Sequence, residues 1–77
     1  MQISVLFFGP LSELCGCHRI QVTTGGTVHL LLEELELRFP ALKGMPFKVS
    51  LNSELSTTDK ELKQGDEVAL LPPFAGG

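Results

Sequence analysis

TVHLLLEELELRFP, residues 27–40, is the one stretch of this chain with a sustained helical period, and it divides the sequence into two strand-bearing halves. Val28, Leu31, Leu32, Leu35 and Phe39 fall on a single stripe at spacings of three and four, Thr27 is placed to cap the first turn, and Pro40 forces the end. That stripe faces a core. Glu33, Glu34, Glu36 and Arg38 lie away from it, as do Leu30 and Leu37, two turns apart on the side expected to be wet. Scattered exposed leucines are ordinary, so this pair is no more than a candidate contact surface.

Outward from the helix the period changes from 3.6 to 2. Toward the N-terminus, QISVLFF (residues 2–8) sets Ile3, Val5 and Phe7 on one face and Ser4, Leu6 and Phe8 on the other, as in a strand covered on both sides, and Gly9-Pro10 stops it. LSELCG (residues 11–16) has the length of one or two helical turns. RIQVT (residues 19–23) alternates again and ends at Thr24-Gly25-Gly26, so the first two strands read as a hairpin with an elaborated turn. Toward the C-terminus, FKVSLN (residues 47–52) is a third strand, SELSTTDKEL is a polar connection with room for a short strand or helical turn, QGD is a turn, and EVALL (residues 67–71) is the last strand.

One helix lying between two hairpin-like halves predicts an α+β domain, a mixed sheet with the helix packed on one face. If the first and last strands run side by side and parallel at the sheet centre, their C-terminal ends coincide. Phe8 and Leu71 then emerge together on the face opposite the helix.

The chain has 77 residues, 43% hydrophobic and 19% charged, which fits one small globular domain. Its net charge of -3 offers no cationic surplus for a phosphate backbone or an anionic lipid surface, so neither nucleic acid nor membrane is an expected partner. No cationic leader precedes the short apolar stretch at the start and no run approaches a membrane span, so a cytoplasmic location is expected. Cys15 and Cys17, one glycine apart, are poorly spaced for a structural disulfide and read as reduced thiols.

Residues 1–71 form the expected domain, and residues 72–77, PPFAGG, a flexible tail. Pro72 and Pro73 fix two φ angles and lack amide donors, so the chain leaves the sheet as a stiff extended stem. Phe74 supplies one apolar anchor, and Ala75, Gly76 and Gly77 leave almost no side chain in the way. Six residues reach ~20 Å, enough to carry a terminal carboxylate through a narrow channel into another protein's active site. A carboxylate needs activation before it can react, and this sequence has neither a P-loop nor a dinucleotide-binding glycine motif, Gly25-Gly26 being an isolated pair. Activation must come from outside.

GDEVALLPPFAGG, residues 65–77, closely resembles the end of the small subunits of molybdopterin synthase, sulfur carriers with the ubiquitin-like β-grasp fold. ISVLFFGPLSELCG (residues 3–16), the helix from Thr27 and the VSLN strand resemble the same family in matching order, so the similarity spans the chain. The resemblance implies that an E1-like adenylyltransferase activates Gly77 with ATP and that a sulfur donor protein converts it to a thiocarboxylate. The tail then enters the large synthase subunit, in a heterotetramer, and sulfur passes to a cyclic pyranopterin precursor to build the dithiolene. It further implies that catalytic side chains sit mostly on the large subunit, that this chain is inactive without it, and that no cofactor is stably bound here. Apolar residues docking onto the partners map to Phe8, Leu71 and Phe74, with Leu55 less firmly placed. Leu70-Leu71 stands where members of the family often carry aromatics, and Cys15-Gly16-Cys17-His18 is outside the pattern.

The remaining candidates have ordinary readings. C-G-C-H is one residue short of a haem attachment motif, and two cysteines with His18 lack a fourth metal ligand, so no metal is expected. His29 reads as solvated, Asp59, Lys60 and Lys63 as surface charges, and Asp66 and Glu67 as surface charges whose functional alternative is contact with a basic partner patch. Three other readings of the tail stay open: a modifier joined through Gly77 to lysines of target proteins, a sulfur carrier for thiamine thiazole synthesis, and a binding module that never uses its carboxylate.

Overall fold

The computed structural model describes residues 1–73. Its elements in chain order are β1 (Gln2–Phe7), α1 (Pro10–Cys15), β2 (Arg19–Thr23), α2 (Val28–Arg38), a 3-10 turn (Pro40–Leu42), β3 (Lys48–Leu51), β4 (Glu54–Leu55) and β5 (Glu67–Leu71). The five strands form one mixed sheet in the order β2-β1-β5-β3-β4. β1 pairs antiparallel with β2 and parallel with β5, so the first and last strands lie side by side at the centre, as the sequence predicts. β5 pairs antiparallel with β3, and β4 adds a two-residue edge.

α2 begins as read from the sequence: the Thr27 hydroxyl accepts a hydrogen bond from the Leu30 amide at 3.3 Å, satisfying one of the helix's free donors. Val28, Leu31 and Leu35 are fully buried and join Ile3, Val5 and Phe7 of β1, Val49 of β3 and Val68 and Leu70 of β5 in one cluster. This cluster is the core. Each such side chain contributes on the order of 1.5–3 kcal/mol by leaving water. At the helix end Phe39 donates its amide to the Leu35 carbonyl at 2.7 Å and sets its ring edge-on to Phe7, centroids 5.6 Å apart, while the Arg38 guanidinium lies over the Phe39 ring.

The irregular segments bury more than their sequence suggests. Leu11 of α1, Leu42 of the 3-10 turn and Leu62 of the polar connection all belong to the core. The third and fourth strands join through Asn52 and Ser53, both at positive φ (51° and 73°), the backbone of a type I′ hairpin turn.

Candidate functional site

Where β1 and β5 end together, the chain makes a tight turn. Phe8 donates its amide to the Leu70 carbonyl at 3.1 Å, one step beyond the last rung of the parallel ladder, so β1 stops at Phe7 where the alternation suggested Phe8. The Phe8 carbonyl then accepts the Leu11 amide at 3.2 Å, closing a turn with Gly9 at φ 58°, ψ -135° and Pro10 as the first residue of α1. This is the II′ geometry, which suits glycine at its first central position. On the neighbouring strand Pro72 is buried and its Cγ lies 3.1 Å from where a Cβ on Gly9 would stand. The first residue of the expected stem is thus packed against the body, while Pro73 is exposed.

The sheet register assigns side chains to faces. Ile3, Val5, Phe7, Val68 and Leu70 point to α2; the alternate residues Leu6, Phe8, Ala69 and Leu71 point the other way. On that open face one row runs Leu55, Ser50, Ala69, Leu6, Arg19 across all five strands, and Lys48 stands beside Leu71 in the next. Phe8 is 45% exposed and Leu55 71% exposed, so two large apolar side chains stand clear on a face whose middle is floored by small residues. Such a patch, apolar at its centre and rimmed by charge, has the composition of a protein-docking surface. Its rim is Lys48 at one end and Arg19 at the other, the latter 3.7 Å from Glu67 across the surface. Of the expected docking residues, Phe8 and Leu71 lie on neighbouring strand ends, and Leu55 lies on the same face two strands from Leu71. Leu6 and Ala69, which alternation sets on this face, were not singled out as docking residues, and Lys48 and Arg19 were missed because only inter-strand register reveals them.

The G-D-E-V turn holds β5 in place. Asp66 accepts the Asn52 side-chain amide at 3.0 Å through one carboxylate oxygen and the Lys63 amide at 2.8 Å through the other. Asn52 in turn accepts the Glu67 amide at 3.0 Å and donates its own amide to the Glu67 carbonyl at 2.8 Å. The Asn52 side chain first, then the Lys63 amide, hold the Asp66 carboxyl below the ordinary carboxylate range. Through these bonds Asp66 ties the β3–β4 turn to the entry of β5.

Cys15 and Cys17 are free, half-buried thiols at the end of α1, where Gly16 takes the left-handed conformation. Burial, and secondarily the neighbouring Cys17, push the Cys15 thiol up, away from the nucleophilic thiolate. Among the described residues no three His, Cys, Asp or Glu side chains converge as metal ligands, and no helix is long and apolar enough to cross a membrane. His29 is exposed and pairs with Glu33 one turn on, Nε2 to Oε1 2.7 Å. Of the helix leucines, Leu30 lies over Gly26, its Cδ1 2.6 Å from a Cβ position there, and Leu37 is 80% exposed. Phe74, Ala75, Gly76 and Gly77, the residues expected to carry the chemistry, lie outside the described residues.

The sequence pattern of the ThiS family matches residues 5–77. A molybdopterin synthase sulfur carrier subunit of Chlamydomonas reinhardtii is 39% identical, with the match covering the whole of both chains. SAMP1 from Haloferax volcanii superposes over the whole of both chains with a TM-score of 0.87 at 27% identity. A chain of the protein–protein complex of subunits 1 and 2 of the molybdopterin-converting factor from Helicobacter pylori matches over the whole of both chains with a TM-score of 0.73 at 30% identity.

Proposed function

The chain belongs to the ThiS family, and from that premise we propose that it is the sulfur carrier subunit of a molybdopterin synthase. The observation that carries the reading is the juxtaposition of an open apolar sheet face with the point where the P-P-F-A-G-G stem begins: one surface docks a partner while the residues next to it are delivered into that partner. Full-length similarity to named sulfur carriers, and the match to a solved complex of two converting-factor subunits, support it.

In this reading the large synthase subunit seats on Phe8, Leu55 and Leu71, with Phe74 as an anchor along the tail, in a heterotetramer. An E1-like adenylyltransferase joins the Gly77 carboxylate to the nucleotide of ATP, releasing pyrophosphate. Sulfide-level sulfur released by a sulfur donor protein then attacks the Gly77 acyl carbon and expels the nucleotide monophosphate, leaving a thiocarboxylate. In the synthase that sulfur attacks the pyranopterin precursor, and water releases the carrier with its carboxylate restored. The carrier's own contribution is the reacting atom and its delivery; ATP is consumed by the activating partner, and nothing is held stably on this chain. The delivered segment is the part of the tail beyond Pro72, residues 73–77.

Intact mass of the protein made in a host with the whole pathway tests this. One oxygen replaced by sulfur at Gly77 is the expected result; a carboxylate that stays unmodified, or never supports synthase turnover, counts against it. The likeness to SAMP1 favours a second reading as a protein modifier. It predicts conjugates to target lysines that vanish when Gly77 is deleted.

A further inference from the structure

We infer that Gly9 is a positioning residue for the tail: the side chain it lacks is the space in which the Pro72 ring lies, and the ring held there sets the direction in which the chain leaves the body. The inference deepens the sulfur-carrier reading and rests on it for its activity readout.

Two demands meet at Gly9. Its φ of 58° is required by the turn that ends β1. Independently, a Cβ there would stand 3.1 Å from Pro72 Cγ, closer than an ordinary van der Waals contact, so an L side chain requires the ring to give by a few tenths of an ångström. The ring also borders an apolar notch of about 110 Å³ lined by Pro10, Leu11, Met45 and Pro46 with Pro72 and Pro73. Pro72 is past the last strand pair, Lys48 with Leu71, and has no amide to donate, yet it is buried. Its close approach to Gly9 and its apolar neighbours around the notch, rather than strand pairing, are what seat it. The position is a pivot, because beyond it an extended chain of five residues reaches ~17 Å, and a tilt of about 10° there displaces the far end by about 3 Å. Misplacing a reacting atom by 1 Å can cost ~100-fold in rate.

The test is a double-mutant cycle with Gly9→Ala, Pro72→Ala and the pair, each carrier charged as thiocarboxylate and assembled with the large subunit. With Pro72 in place, Gly9→Ala is expected to slow single-turnover sulfur transfer about ten-fold, measured at saturating large subunit so that a change in affinity through Phe8 or Phe74 does not enter the rate. In the Pro72→Ala background the same substitution is expected to change the rate less than about two-fold. Equal losses in both backgrounds would assign the effect to backbone strain at position 9 and overturn the inference, as would full activity of Gly9→Ala. A second readout needs no activity: the Met45 amide resonance of the free protein moves on Gly9→Ala when Pro72 is present and stays in place in the Pro72→Ala background; the same movement in both overturns the proposal. If Gly9→Ala fails to fold, Met45→Ala opens the notch, and a transfer rate that stays unchanged overturns it while a three-fold or greater fall supports it. A charged wild-type carrier that transfers no sulfur sinks the sulfur-carrier reading instead, and the Met45 resonance then decides the pivot alone.

Discussion

The two faces of the sheet are built from the same strands and differ only in which alternate residues they present. Toward α2, Ile3, Val5, Phe7, Val68 and Leu70 are buried by the chain's own helix. Away from it, Leu6, Phe8, Ala69, Leu71 and Leu55 form an apolar surface that nothing among the described residues covers, with Phe8 and Leu55 standing out into solvent. In a domain this small every buried side chain matters to folding, and leaving apolar area in water is a feature that stability alone does not explain. The difference separates two tasks: one face holds the fold together, and the other is kept open for a partner.

The comparison breaks or sharpens at measurable points. The largest effect is expected beyond both faces. Deleting Gly77, or adding one residue after it, abolishes sulfur transfer in the assembled synthase while the melting temperature stays unchanged; normal transfer by either variant would detach the function from the tail. Next, Leu31→Ala or Leu35→Ala on the helix face costs ~2–5 kcal/mol in denaturant unfolding, most of the stability of a domain of this size, because each leaves a cavity in the core. On the open face the pattern inverts. Phe8→Ala or Leu71→Ala weakens binding to the large subunit by about 2 kcal/mol in calorimetry, and lowers folding stability by less than about 1 kcal/mol. Equal stability losses on both faces would erase the distinction.

A smaller effect concerns the brace at the entry of β5. Asp66→Asn leaves one neutral hydrogen bond and sets an amide NH2 against the donor of the other, and costs about 1 kcal/mol after allowance for partial exposure. The carboxyl is depressed in the folded chain, so its contribution is present above the ordinary carboxylate range near pH 4 and is lost as pH falls through the folded value. The variant should therefore lose less stability than the parent on acidification below about pH 4, read by thermal unfolding; identical pH profiles would remove the brace. Smallest of all, Leu37→Lys on the outer side of α2 changes stability by no more than ~0.5 kcal/mol and leaves partner affinity as it was.

The helix and the central strands were legible because their residues repeat at a fixed period, and the pairing of Phe8 with Leu71 followed from period two alone. What sequence reasoning missed has no period to read. Leu11, Leu42 and Leu62 are the single buried leucines of the short α1, the 3-10 turn and the polar connection, and their burial depends on where those short segments pass over the core. β4 is two residues long and exists because Asn52 and Ser53 accept positive φ. The charged rim of Lys48 and Arg19 appears only when strands distant in sequence are set in register. Gly9-Pro10 was legible as punctuation, but the fit of a proline sixty-odd positions away into the space at Gly9 was not. In the G-D-E-V turn, a motif visible as a family signature turned out to owe its carboxylate to bracing.

The central placement of β5 has a bearing on synthesis. This strand is the last of the five to be translated, yet β1 and β3 both depend on it for their inner hydrogen bonds. A growing or prematurely stopped polypeptide that lacks it has two bare edges where its middle belongs, and its halves have nothing to join across. Folding therefore waits until translation has passed residue 71, so that a compact molecule is by construction one whose manufacture has reached the threshold of its working end.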